Sequence, residues 1–166
     1  MKKLVVTFLT LIMLAAGASA QSEIPAYRAK GYKGSVSYSN IGLLWSGLET
    51  SHGYMFNEKF YLGGGLGVKL FPFGKQIVVA SPVFAEAQAY WFPRKSTLTS
   101  GVRLGYLHNF SGDSYFEADV TVGWSWGFAS GQGLTLNAGL TTVPSEVSIT
   151  IGDVQISPLL SVAFEF

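Results

Sequence analysis

From Gly31 to Phe166 hydrophobic residues alternate with small or polar ones at a period of two. That is the period of a strand, whose successive side chains point to opposite faces. In the stretch EADVTVGWSW, Glu117, Asp119, Thr121, Gly123 and Ser125 share one face, and Ala118, Val120, Val122, Trp124 and Trp126 the other. The division recurs along the chain. Residues 59–71 set Phe60, Leu62, Leu66, Val68 and Leu70 against Tyr61, Gly63, Gly65, Gly67 and Lys69. Residues 78–92 set Val83, Ala85, Ala87, Ala89 and Trp91 against Phe84, Glu86, Gln88 and Tyr90. Residues 97–110 set Val102, Leu104, Tyr106 and Phe110 against Thr99, Gly101, Arg103, Gly105 and Asn109. No window carries a helical period.

The alternation predicts eight strands, over 31–45, 48–56, 59–71, 78–92, 97–110, 115–128, 133–143 and 154–166. Turn residues separate them, among them Ser46-Gly47, Asn57-Glu58, Phe73-Gly74-Lys75, Pro93 to Ser96, Ser111 to Ser114 and Ser130 to Gly133. An even number of strands in up-and-down order leaves both ends of the unit on the same side. Residues 31–166 therefore read as one all-β unit, an antiparallel up-and-down barrel, without a linker or second domain. Residues 21–30 carry Pro25 and no alternation, and read as an N-terminal lead. Before them, Lys2 and Lys3, the apolar run Leu4 to Ala16 and Ala18-Ser19-Ala20 have the order of a cleaved secretory signal over residues 1–20. The run is short for a helix that must span ~20 residues of bilayer.

The bulky face decides which way the barrel is turned. An eight-stranded barrel has an interior only just wide enough for side chains. The Leu, Val, Phe and Trp of the bulky face overfill it, so a soluble barrel with an apolar interior fits poorly. The other face, mostly Gly, Ser and Thr with a few charges, suits a narrow lumen. Each predicted strand reaches or exceeds the ~9–11 residues a tilted strand needs to cross a bilayer. Aromatic residues gather at the strand ends: Tyr54, Phe56, Phe60, Trp91, Phe92, Trp126, Phe128, Phe164 and Phe166 on one side, and Trp45, Phe71, Phe73, Phe110, Tyr115 and Phe116 on the other. They predict two girdles at the membrane interfaces.

Composition agrees with the inverted pattern. Charged residues make up 13% of the chain, about half the usual ~25% of soluble domains. There is no cysteine, which excludes a disulfide-stapled scaffold. Without Lys2 and Lys3, nine basic residues face ten acidic ones, so the charge predicts no nucleic-acid partner.

The signal, the eight alternating strands and the segment LLSVAFEF ending at Phe166 resemble the small outer-membrane β-barrel proteins of Gram-negative bacteria, of the OmpA/OmpX type. TSHGYMFNEKFYLGGGLG, Thr50 to Gly67, is similar to a hairpin of the outer-membrane β-barrel domain family. The resemblance spans 31–166 and implies a transmembrane barrel in the outer membrane, with short turns toward the periplasm. It also implies that Phe164 and Phe166 form the signal read by the barrel-assembly machinery. Outer-membrane lipid and that machinery are the partners it implies for a monomeric barrel.

Candidate chemistry is sparse. Lys33, Lys69 and Arg103 share the lumen parity with Glu49, Glu86, Glu117, Asp119 and Glu165. Unpaired charge is costly in a narrow lumen, so these eight should form one ion-pair network that plugs it. The alternative is a narrow pore or small-molecule conduit with a weak preference for cations. The glycines of GGGLG, Gly63 to Gly67, lie inside a strand with no helix after them, so they read as room for bulky lumen residues such as Tyr90 or Phe84. His52 and His108 fall on the lipid-facing parity; His108 near Ser111 is the one pairing that evokes a lipid A-modifying enzyme. No ligand cluster for a metal and no cofactor motif is evident. Around Gly152-Asp153, Val147, Ile149, Ile151, Val154 and Ile156 alternate and predict a projecting ribbon, with edges able to pair with an extracellular protein. The expectation is a structural or surface-contact protein without catalysis.

Overall fold

The computed structural model describes residues 28–42, 45–73, 76–110, 114–128, 130–143, 149–151 and 154–166. The signal peptide expected over 1–20 and most of the lead lie outside them. Among the described residues there are nine strands: β1 (Gly31–Ile41), β2 (Trp45–Asn57), β3 (Phe60–Phe73), β4 (Gln76–Tyr90), β5 (Ser96–Asn109), β6 (Ser114–Gly127), β7 (Gly133–Thr141), β8 (Ile149–Ile151) and β9 (Val154–Glu165). All pairs are antiparallel, in the order β1 to β7 and then β9, and β9 pairs back to β1. Eight strands thus close an up-and-down transmembrane barrel, which removes every free sheet edge from the wall. The amide of Phe166 donates to the Gly34 carbonyl at 2.9 Å and that of Gly34 to Phe166 at 2.7 Å, extending the seam past the last strand residue.

The first turn differs from the expected one. Ile41 pairs with Trp45, so the chain reverses between these two residues and not at Ser46-Gly47. Gly42 takes φ +57°, a left-handed value suited to glycine. Trp45 consequently opens β2. Pro82 cannot donate to the ladder, and the β3–β4 pairing lapses opposite it, between Leu66 and Lys69. The Ser81 hydroxyl donates to the Gly67 carbonyl there, at 2.9 Å.

The fold is apolar outside and polar within. Leu62, Leu66, Val68, Val83, Val102, Leu104, Val120, Val122, Leu136 and Leu160 are all exposed on the outer wall, while Ser37, Glu49, Ser51, Lys69, Thr97, Thr99, Glu117, Asp119, Thr135 and Glu165 are buried. That arrangement is stable where hydrocarbon and not water surrounds the wall. For orientation, the rim where β1 begins and β9 ends is termed the inner rim, and the opposite one the outer rim.

The outer aromatic girdle is thinner than the sequence predicts. Phe110 and Phe116 are exposed, but Phe71 is buried with Ile41, Ala80, Leu107, Val143 and Leu159, and Trp45 and Val78 pack against this cluster. Trp45 and Phe71 share the parity of Glu49 and Lys69, and the strand pleat holds that parity to its end; both rings therefore turn into the barrel mouth.

Candidate functional site

The lumen is built in layers. At its outer end is the apolar cluster around Ile41, Phe71 and Leu107, beside a cavity of about 340 Å³ that Trp45, Val78 and Tyr115 also line. Below it lies a charged layer. Lys69 of β3 contacts Glu117 of β6 and stands 3.2 Å from Glu49 Oε1 of β2. Arg103 of β5 reaches Glu49 Oε2 at 2.6 Å, Glu86 Oε2 at 3.3 Å and Asp119 Oδ2 at 3.7 Å. Its guanidinium lies over the Phe84 ring, 3.9 Å from the centroid. The Ser51 hydroxyl donates to Glu86 Oε1 at 2.5 Å, and the Tyr61 hydroxyl stands 2.8 Å from Ser51.

Nearer the inner rim, Lys33 Nζ lies 3.1 Å from Glu165 Oε1 and donates to the Tyr90 hydroxyl. Tyr90 and Thr135 in turn donate to Glu165 at 2.7 and 2.8 Å. Met55, Tyr61 and Tyr90 form a second buried cluster around this pair. A chamber of about 60 Å³ remains in the lumen, lined by groups including Ser35, Ser37, Gln88, Arg103, Asp119 and Thr121.

Lys33, Lys69, Arg103, Glu49, Glu86, Glu117, Asp119 and Glu165 each lie within ion-pair distance of an opposite charge. They divide into two centres: Lys33 with Glu165, and Lys69 and Arg103 with Glu49, Glu86, Glu117 and Asp119. The register explains the meeting. Glu86 is opposite Arg103 on β4–β5, and Arg103 opposite Asp119 on β5–β6. The Lys69–Glu117 contact needs closure, because those strands do not pair.

Several participants were not legible as such. Tyr61, Ser51 and Thr135 have the lumen parity, but nothing local marks them as partners of charges. Arg28, in the lead, donates to the Arg94 carbonyl at 2.8 Å and to Ser125 Oγ at 2.7 Å, and its guanidinium lies over Tyr90 at the inner mouth. The inward glycines make room as expected: a Cβ on Gly65 would lie 2.5 Å from the Phe84 ring, and one on Gly105 2.7 Å from Phe84 Cβ. The beneficiaries are Phe84 and Tyr61, whose hydroxyl occupies the space at Gly63; Tyr90 sits nearer the rim over Lys33.

Both histidines are on the outer wall. His52 Nδ1 meets the Tyr32 hydroxyl at 2.5 Å and its Nε2 meets Thr50 Oγ1 at 3.0 Å. His108 Nδ1 lies 3.0 Å from Ser114 Oγ and its ring packs against Phe110; Ser111 lies outside the described residues. Among the described residues no group of three or more His, Cys, Asp or Glu is placed to hold a metal ion.

The expected ribbon has a paired backbone. Ile149 faces Ile156 and Ile151 faces Val154, while β9 joins β7 only from Ser157 and β1 only from Leu159. Residues 154–156 therefore pair with β8 alone, leaving the barrel as a two-stranded extension. Ile149 is exposed; Val147 and Gly152-Asp153 lie outside the described residues.

No family model and no curated protein matches the chain. Among solved structures, Neisserial surface protein A is similar over 82% of this chain and 94% of its own, at 13% identity and a TM-score of 0.54. The N-terminal β-barrel domain of Pseudomonas aeruginosa OprF is similar over 83% of this chain and 98% of its own, at 10% identity and a TM-score of 0.49. With the lipid-suited wall and the closed eight-strand order, the former likeness gives the chain the fold of the small outer-membrane β-barrels.

Proposed function

We propose that this protein is a resident of the bacterial outer membrane with a structural or surface-contact role, non-catalytic, and that its lumen is closed to solutes. The supporting observation is the pair of charge centres stacked in the lumen, one beneath the apolar layer of the outer mouth and the other wrapped by Met55, Tyr61 and Tyr90 near the inner one. Each charge in it is compensated, so moving an ion through would require breaking buried pairs, at about 3–5 kcal/mol for each lost partner. Planar-bilayer recording tests this: the barrel should insert without unitary currents across salts and voltages. Reproducible conductance steps would restore the pore reading.

Surface contact centres on the β8–β9 extension. Among the described residues its outer edge has no barrel neighbour, and Ile149 offers an apolar side chain there. Replacing residues 146–155 by a short turn should leave the barrel folded and abolish retention of an extracellular protein partner in a pull-down. In the cell, the inner rim faces the periplasm and Phe164 and Phe166 serve as the assembly signal. Phe166 closes the β1–β9 seam through Gly34, so its side chain is read before that seam forms. Phe166→Ala should lower the folded fraction in cells while leaving refolding in detergent intact. A lipid A-modifying role would show as a change in lipid A mass when the gene is removed; the non-catalytic reading expects identical spectra.

A further inference from the structure

The charges that the lumen does not use are unevenly divided. Lys30 precedes β1, Lys59 lies in the β2–β3 turn, and Arg94 and Lys95 lie in the β4–β5 turn; all four side chains are exposed at the inner rim. Glu58 is the carboxylate among the described residues of that rim's connections. By sequence, the outer connections carry Lys75 against Asp113, Glu146 and Asp153. The inner-rim segments are tied into a continuous arc: the Tyr90 amide donates to the Lys59 carbonyl at 2.7 Å, that of Gly127 to Lys95 at 2.6 Å, and Arg28 to the Arg94 carbonyl at 2.8 Å. None of the four side chains enters an ion pair among the described residues.

Depth supplies the second observation. Trp91 and Phe92 are exposed in the same turn as Arg94 and Lys95, and Phe56, Phe60, Trp124 and Phe128 are exposed beside it. Interfacial tryptophans sit at headgroup level, so the basic arc lies where lipid phosphates are. We propose that the inner rim of the barrel, through Lys30, Lys59, Arg94 and Lys95, is a binding surface for anionic phospholipid headgroups, which it concentrates around the protein. Neutral-headgroup lipids occupy the rest of the wall without preference. This surface rests on the reading that the outer wall is lipid-facing, and the test below separates the two.

Tryptophan fluorescence gives a direct readout, because Trp91, Trp124 and Trp126 lie near the inner rim while Trp45 turns into the outer mouth. The barrel is reconstituted in vesicles mixing brominated phosphatidylglycerol with phosphatidylcholine, and in the reverse pair. Quenching by brominated phosphatidylcholine alone checks that the wall is in lipid, and its absence would sink both readings. Phosphatidylglycerol should show a relative association at least about threefold above phosphatidylcholine at low salt, falling toward one at high salt. A combined variant, K30Q/K59Q/R94Q/K95Q, should lose that preference while keeping the folded, heat-shifted gel mobility. Equal association in the natural protein overturns the proposal and favours a soluble acidic partner for the rim. A preference that survives in the variant overturns it also, by placing the lipid elsewhere on the wall.

Discussion

Lys69 and Glu117, 48 residues apart in sequence, are in direct contact inside the barrel, and both are buried. They belong to strands that are not neighbours, so only closure of the wall brings them together. Without Lys69, Glu117 would be an uncompensated buried charge, which ties the chemistry of the lumen to the completeness of the fold.

Lys69→Met should therefore be strongly destabilising. It leaves Glu117 without its cation and Glu49 with Arg103 alone, at a cost of about 3–5 kcal/mol. Urea titration in detergent micelles, followed by tryptophan emission, measures it. Adding Glu117→Gln to the same chain should recover part of the loss, and a strictly additive pair would show that the contact carries no coupling.

Tyr90→Phe removes the hydroxyl that accepts from Lys33 and donates to Glu165. The ring and its packing persist, so the expected loss is that of a buried hydrogen-bond partner, about 1–3 kcal/mol. The same titration reads it; a variant as stable as the natural chain would show that Lys33 and Glu165 are sufficient for each other.

Gly65→Ala and Gly64→Ala are adjacent changes on opposite faces. At Gly65 the new methyl would meet the Thr50 carbonyl and the Phe84 ring, whereas at Gly64 the nearest atom is the Phe84 carbonyl oxygen, 3.0 Å away. Overpacking predicts about 1–3 kcal/mol for the inward change and less for the outward one. Equal midpoints would mean that the lumen yields at Phe84.

Val120→Arg probes the outer wall, where Val120 is 58% exposed. In a bilayer near mid-depth the arginine should cost about 2–4 kcal/mol, and Val120→Leu almost nothing. Folding yield into vesicles of fixed composition separates the two. In short-chain detergent, where the apolar belt is thin and pliable, the difference should shrink.

Much of the wall is legible because a strand's period is local. The face assignments of Glu117, Asp119, Val120 and Trp124 follow from residue spacing alone, and they hold in the structure. The strand ends move by only a few residues, the largest change being at Gly42, where backbone conformation chose the turn over the Ser46-Gly47 pair. The outer girdle is where local reading fell short. Aromatic character at strand ends assigns Trp45 and Phe71 to the girdle, but the pleat carries them inward, where they join a cluster drawn from six strands and Val143 just past β7.

The sequence by itself determined the eight strands of the wall, their up-and-down order and which face meets lipid, because alternation and turn chemistry act between near neighbours. It also determined which charges enter the lumen, through parity. Tertiary structure alone decided which of those charges meet. The Lys69–Glu117 contact, the sharing of Arg103 among three carboxylates, and the placing of Arg28 over Tyr90 depend on curvature and shear of the closed wall. Those quantities arise from all eight strands together, and no segment of the chain contains them.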